Sequence, residues 1–272
     1  MEPVTGLTIL GSAIGGAKLV EKLLGPTADY VGIGLRSWAE KRVQNAGRIF
    51  EKAAEKLGDK IDEPGSVPPR VLKEILDEGS YCDDELTAEY FGGVLASSRS
   101  GTNRDDRAAS YLKLTSELSV YQIRFHYVSY TAWRALFTGS GLRPTFGEDL
   151  HKMWLFLPIS FLEVAMDFTS DEPAEDILMH CTSGLERLDL IDQSHWGGLE
   201  HINPLNKARG WCEVSEGGMC VVPTQFGIDY WLWAIGLGAT SRARFLDGNL
   251  ALPKLPDIAV PAGPIKLVKV GN

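Results

Sequence analysis

The chain has 272 residues, 44% of them hydrophobic and 23% charged, with a formal net charge of −9. This is ordinary globular usage, long enough for one large domain or two small ones around a true core. The negative balance disfavours general polyanion binding, so a surface that reads nucleic acid would have to be a local basic patch.

Met1, Glu2 and Pro3 lack the basic start of a signal peptide. Residues 4–24 predict a first helix with Leu7, Leu10, Ile14 and Ala17 on one stripe. Its uncharged stretch is shorter than the roughly 20 apolar residues a bilayer span needs, and Lys18, Glu21 and Lys22 follow at once. Gly11 and Gly15 have the spacing of closely packed helices. Leu7, Leu10, Gly11, Ile14 and Gly15 therefore read as a membrane-surface or partner helix, or as a helix packed on another part of the same chain.

Residues 27–58 predict a longer helix with Trp38, Ala46, Ile49, Phe50, Ala53 and Leu57 on one face and mixed charges on the other. The Pro-rich residues 61–69 read as a linker, which makes residues 1–60 a semi-independent helical arm. A helical domain is expected over 68–140. In it, Asp83 and Asp84 stand where an N-cap belongs, and Ser119 with Gln122 has the spacing of a capping box. Between its helices lies a polar loop at 97–106, flanked by Arg99, Arg104 and Arg107.

The pattern changes after residue 150. Aromatic and β-branched residues in 153–166 predict an extended segment, with Pro158 breaking any helix. Residues 173–191 predict a helix, and 210–214 with 219–222 a hairpin turning through Glu216, Gly217 and Gly218. A last helix starts near Thr224. Helix, hairpin and helix in that order suggest a winged-helix-like unit over 150–250. Residues 251–272, rich in Pro and Gly and carrying Lys266 and Lys269, read as a flexible or partner-bound tail. The expected fold is mainly α: an N-terminal helical arm and helical domain, then a small α+β winged-helix-like C-terminal unit.

Chemistry is harder to find. The phosphate-loop, dinucleotide, metalloprotease and nucleophile-elbow motifs are all missing. Cys82, Cys181, Cys212 and Cys220 are scattered and read as reduced thiols of a cytosolic protein. His180, Cys181, His195, His201, Cys212 and Cys220 are metal-binding types without the tight ligand pairs of a structural zinc site. Cys82 beside Asp83 and Asp84 is a poor thiolate. Glu163 and Asp167 suit a rim or capping role better than acid–base work. No catalytic residue, metal ligand or cofactor is therefore assigned. Arg99, Arg104, Arg107, Arg242 and Arg244 remain as residues able to hold a phosphate or an acidic partner.

Two stretches carry a family resemblance. Residues 86–98 (LTAEYFGGVLASS) are followed after a polar gap by 111–118 (YLKLTSEL). Later, residues 185–191 (LERLDLI) are followed by 224–230 (TQFGIDY). Together they resemble the Abi-alpha (abortive infection protein alpha) family, with Asp189 standing where the family pattern has Gly. The resemblance implies a helical bacterial protein of anti-phage defence, and it brings no catalytic residues.

Three functions follow, in order. The first is a non-enzymatic component of an abortive-infection system, acting through protein contacts or membrane perturbation. The second is a winged-helix regulator binding DNA or another regulator. The third is an unfamiliar enzyme with its site near the 97–107 loop or around His151 and Glu163. A protein partner or self-association is expected, a membrane surface is kept as an alternative, and nucleic acid is the least expected. The location expected is cytoplasmic, with peripheral membrane contact left open.

Overall fold

The computed structural model describes residues 35–100 and 105–269. Leu7, Leu10, Gly11, Ile14, Gly15 and Arg104 lie outside the described residues, as do the side chains of 35–39. In chain order the elements are α1 (Leu35–Leu57), α2 (Pro69–Asp77), α3 (Glu85–Ser98), α4 (Ala108–Glu117), α5 (Val120–Phe137) and the single turn α6 (Gly147–Leu150). Then follow β1 (Leu155–Pro158), α7 (Ile159–Met166), α8 (Ala174–Arg187), β2 (Ile191–Gly197), α9 (Leu199–Arg209), β3 (Gly218–Pro223), α10 (Gln225–Ala234) and β4 (Ile265–Lys266). The fold is mainly α with a small α+β unit, as the sequence predicts. Among the described residues no helix is long and apolar enough to cross a membrane.

The centre is α3. Its residues from Leu86 to Ala96 are all buried, which requires neighbours on every side. Asp84 starts the helix by accepting a 2.7 Å hydrogen bond from the Thr87 N–H. A Cβ at Gly93 would stand 1.6 Å from the Ala234 carbonyl oxygen, so only glycine lets α3 meet the end of α10. On the opposite side Ile49 of α1, fully buried, packs with Phe91 and Val94. Lys56, with a side chain only 1% exposed, donates to Glu89 at 2.6 Å. The expected arm is thus built into the core from Asn45 onward, because its apolar stripe packs on α3 and α2 and its buried lysine pairs with Glu89 of α3.

Around α5 the capping box is complete: Ser119 Oγ accepts from the Gln122 N–H at 3.3 Å, and Gln122 Oε1 accepts from the Ser119 N–H at 2.9 Å. One apolar core runs from Leu86 through α5 to Leu250, across the expected boundary near residue 140.

The four strands form one antiparallel sheet in the order β2-β3-β1-β4. Side chains alternate across it. Leu155, Leu157, Met219 and Val221 face the helical core, while Phe156, Cys220 and Val222 face a second cluster with Ile202 of α9 and Leu267. Burial on both faces explains why these strands read as continuous apolar runs.

Four local expectations are corrected. β3 pairs with β2 on one side, Ile191 opposite Pro223 and Gly197 opposite Gly218, and with β1 on the other, and not with residues 210–214. The long-range pairing wins because it buries β3 centrally, while α9 fills the connection. The expected helix over 173–191 stops at Arg187, and Ile191 opens β2. Pro158 ends β1 but also starts α7, where its missing N–H costs nothing. The tail does not stay free: Leu255, Ile258 and Val260 pack on the main core, and β4 pairs with β1.

Candidate functional site

The arginines proposed from sequence separate into three settings. Arg99 donates to the carbonyls of Lys60, Ile61 and Glu63 at 2.8, 2.9 and 2.5 Å, stapling the linker to the end of α3. Arg244 pairs with Asp247 at 3.2 Å. Arg107 and Arg242 come near each other around Asp229: Arg107 holds Asp105 at 2.7 Å, and Arg242 bonds Gln225 at 2.6 Å and the Asp229 carboxylate. Tyr111 stacks there on Trp233 at 4.9 Å and on Phe226 at 5.9 Å. Burial raises Asp229, and Arg242 only partly offsets it. Each of these guanidinium groups already has carboxylate or carbonyl acceptors inside the protein, so the cluster is internally compensated.

Three cysteines outside it are held away from reactivity. Burial pushes Cys82 up to about 11, with the Asp84 and Asp83 charges adding to it. Burial alone lifts Cys181 to about 12, and it lifts Cys220 to about 12 against a small pull from Arg209. Such thiols stay protonated at neutral pH. Asp167 closes α7 in a left-handed conformation, φ 58°, and faces Arg124 at 3.6 Å, while Glu163 is exposed on the same helix. Among the described residues no group of three His, Cys, Asp or Glu side chains could hold a metal. On α8, Glu175, Asp176 and Glu186 are exposed, an acidic surface unsuited to lying along DNA.

Two assemblies stand out. The first is a buried spine at the junction of α3, α5 and α10. His126 is fully buried, with its ring 4.4 Å from Tyr130 and 4.9 Å from Tyr230. Its Nδ1 shares a 2.8 Å hydrogen bond with the Tyr90 hydroxyl. The Tyr130 hydroxyl donates to the Leu190 carbonyl at 2.6 Å and accepts from the Thr224 N–H at 3.2 Å. The Tyr230 hydroxyl lies 3.0 Å from Thr115 Oγ1. Burial drives His126 down to about 3, so it is neutral, and drives all three tyrosines far up. This is a structural network.

The second assembly is an open cleft of 690 Å³ between α9, β4 and the end of α5. Arg209 closes α9 as the chain turns at Gly210, φ 73°. Its guanidinium packs against two adjacent indoles, Trp154 at 4.5 Å and Trp211 at 4.8 Å, whose own centroids lie 5.0 Å apart. Its Nη2 donates to His195 Nε2 at 2.9 Å, and the His195 ring runs parallel to Trp154 at 5.4 Å. Burial, then the Arg209 charge, lowers His195, which keeps Nε2 an acceptor. Arg209 Nη1 is buried without a partner. Lys266 sits over the Phe137 ring at 4.8 Å, and Lys152 and Lys269 complete the basic lining. Sequence reading named Lys266 and Lys269 but did not join them to Arg209, because tail and helix are far apart along the chain.

No protein-family model, no curated protein and no solved structure matches the chain.

Proposed function

We propose that the chain is a non-enzymatic component of a bacterial anti-phage defence system, acting through contacts with other molecules. The observation that carries this reading is the backbone at Asp189. It stands where the resembled family has Gly, and it adopts φ 56°, the left-handed region that favours Gly. The turn is a Schellman motif: the Leu190 N–H reaches the Leu185 carbonyl at 2.8 Å, and the Asp189 N–H reaches Glu186 at 3.1 Å. A pattern position with Gly thus coincides with a place where the backbone has a use for it. The two resembling stretches also meet in space, since the Tyr90 and Tyr230 rings lie 5.5 Å apart. Residues from both make the buried spine, which explains such a pattern through packing and without a catalytic group.

The test is a phage challenge of bacteria expressing the full chain, at low and high phage-to-cell ratios. Protection at the low ratio with collapse of the culture at the high ratio is the expected result. Undiminished plaque counts across a broad phage panel would overturn the reading. Deleting residues 1–24 then separates the two modes of action. Protection that survives the deletion removes the membrane version and leaves protein or ligand contacts.

A further inference from the structure

The cleft around Arg209 concentrates positive charge in a protein that is negative overall. Arg209, Lys266, Lys269, Lys152 and His151 all line it, and among the described residues no carboxylate does. Two of these residues have carboxylate neighbours outside the lining. Lys152 holds Asp149 at 2.9 Å, and His151 lies 3.5 Å from Asp192. Arg209 is bonded to a neutral histidine, and Lys266 rests on a ring face. Neither of these, nor Lys269, forms an ion pair among the described residues. Three uncompensated cations facing one cavity repel each other, and an anion relieves that repulsion.

Arg209 also carries an unmet donor. A buried guanidinium nitrogen without an acceptor is costly, and Arg209 Nη1 is such a nitrogen. Trp154 and Trp211 hold the guanidinium in place, so the group is ordered in advance of any ligand. The cleft is also partly apolar. Phe137, Leu142, Trp211, Leu267 and Val268 supply carbon surface beside the charges. Its 690 Å³ falls in the range of about 300–1,000 Å³ typical of small-molecule sites.

The wall bearing the lysines is firmly attached. The Leu267 N–H donates to the Trp154 carbonyl at 2.9 Å, Phe156 pairs with Ile265, and Trp211 bridges to Lys269. The tail thus brings two cations onto a preformed tryptophan–arginine platform.

We propose that this cleft binds a small organic phosphate carrying a flat ring, of nucleotide size, with the phosphate held by Arg209, Lys266 and Lys269 and the ring against the apolar side. A bare inorganic anion would leave the apolar surface wet. A long nucleic acid would extend beyond the cleft over a surface whose net charge opposes it. The site is independent of the defence reading and stands or falls by binding alone.

The experiment titrates the full chain with AMP, ADP, adenosine, inorganic phosphate and an oligothymidylate, by calorimetry and thermal shift at low salt. AMP and ADP are expected to bind and raise the unfolding temperature, ADP the tighter of the two. Adenosine and inorganic phosphate should each bind at least about tenfold more weakly. The double variant Lys266→Gln/Lys269→Gln should weaken AMP and ADP by about tenfold or more, since a hydrogen bond to a charged group is worth about one decade or better. Its unfolding temperature without ligand should fall only slightly, since Lys269 is exposed and Lys266 loses only its contact with the Phe137 ring. Arg209→Gln should abolish binding, and the double variant keeps the test decisive if that protein fails to fold. Absence of AMP and ADP binding, equal binding of inorganic phosphate alone, or unchanged affinity in the double variant would overturn the proposal. So would binding confined to the oligothymidylate.

Discussion

The buried spine and the basic cleft are made from the same materials, rings and a histidine, and they behave in opposite ways. In the spine Tyr90, His126, Tyr130 and Tyr230 are fully enclosed, and each hydroxyl has a protein partner. In the cleft Arg209 carries a full charge beside two indoles, and its Nη1, like His126 Nε2 in the spine, is buried without a partner. The difference lies in what surrounds each. The spine lies where three helices meet and admits only neutral groups, since an unpaired ion there would cost several kcal/mol, on the order of the whole folding stability. The cleft lies at a sheet edge, where water and ligands reach the charges. The first region holds the fold and the second is free to recognise something.

The comparison is broken most severely at Gly93. Gly93→Ala forces a methyl group into the Ala234 backbone, which cannot give way as a side-chain tip would. The expected cost is about 3 kcal/mol or more, read as a large fall in unfolding temperature or failure to fold. Gly147→Ala, where a Cβ meets nothing within 4 Å, is the control and should change little. A mild effect at Gly93 would mean that α3 and α10 separate easily, and the spine would not be the rigid half of the molecule.

A second, smaller effect separates the two histidines. His126 sits at about 3 in the folded chain against an ordinary 6.5, lowered by burial with only a weak opposing push from the Gly227 backbone. The unfolded chain takes up a proton below pH 6.5 that the folded chain refuses. Stability is therefore complete above pH 6.5 and is lost as pH falls toward 3, by about 1.4 kcal/mol per pH unit for one proton. His195 is lowered in the same direction, first by burial and then by Arg209. Urea unfolding at pH 7, 6 and 5 should show a decline that His126→Gln largely flattens. A decline unchanged in that variant would assign the pH response to the cleft histidine instead.

Much of this division could be read from the chain before any coordinates. The caps at Asp84, Ser119 and Thr224 announce three helices correctly, because capping is local chemistry. The spine was partly visible, since residues 86–98 lack the polar face of a surface helix. The hairpin was misplaced for a physical reason. Gly218 opens β3 and does not turn a hairpin, and the edge partner β2 reads Ile-Asp-Gln-Ser-His-Trp-Gly, at a position in the sheet where polar residues are tolerated. Its strand character comes from β3, not from its own pattern. The cleft was invisible for the same reason: Trp154, Arg209, Trp211 and Lys266 belong to β1's approach, α9, a loop and the tail. A tail rich in Pro and Gly carries no periodicity, yet Leu267 is only 1% exposed because β1 offers it an open edge.

The smallest effect concerns the corner that joins the two regions. Asp189 precedes Leu190, whose carbonyl accepts from Tyr130, and leads into β2, which carries His195. Its own carbonyl accepts a 2.5 Å hydrogen bond from the Thr224 hydroxyl, so the backbone is held whatever the side chain. The carboxyl is raised by burial and by the nearby Asp192 charge, which marks it as slightly unwelcome there. A left-handed conformation costs an L-residue about 1 kcal/mol, less for Asp than for most. Asp189→Gly removes that strain and the carboxylate repulsion, and it adds the larger chain entropy of Gly in the unfolded state. The net expectation is a gain of about 0.5 kcal/mol, or an unfolding temperature higher by about 1–2 °C for a chain of this size. AMP affinity should be untouched, because the corner moves neither Arg209 nor β4. A loss of stability would show that the Asp189 side chain does something in this chain that Gly cannot. The match between the resembled pattern and the backbone would then be accidental.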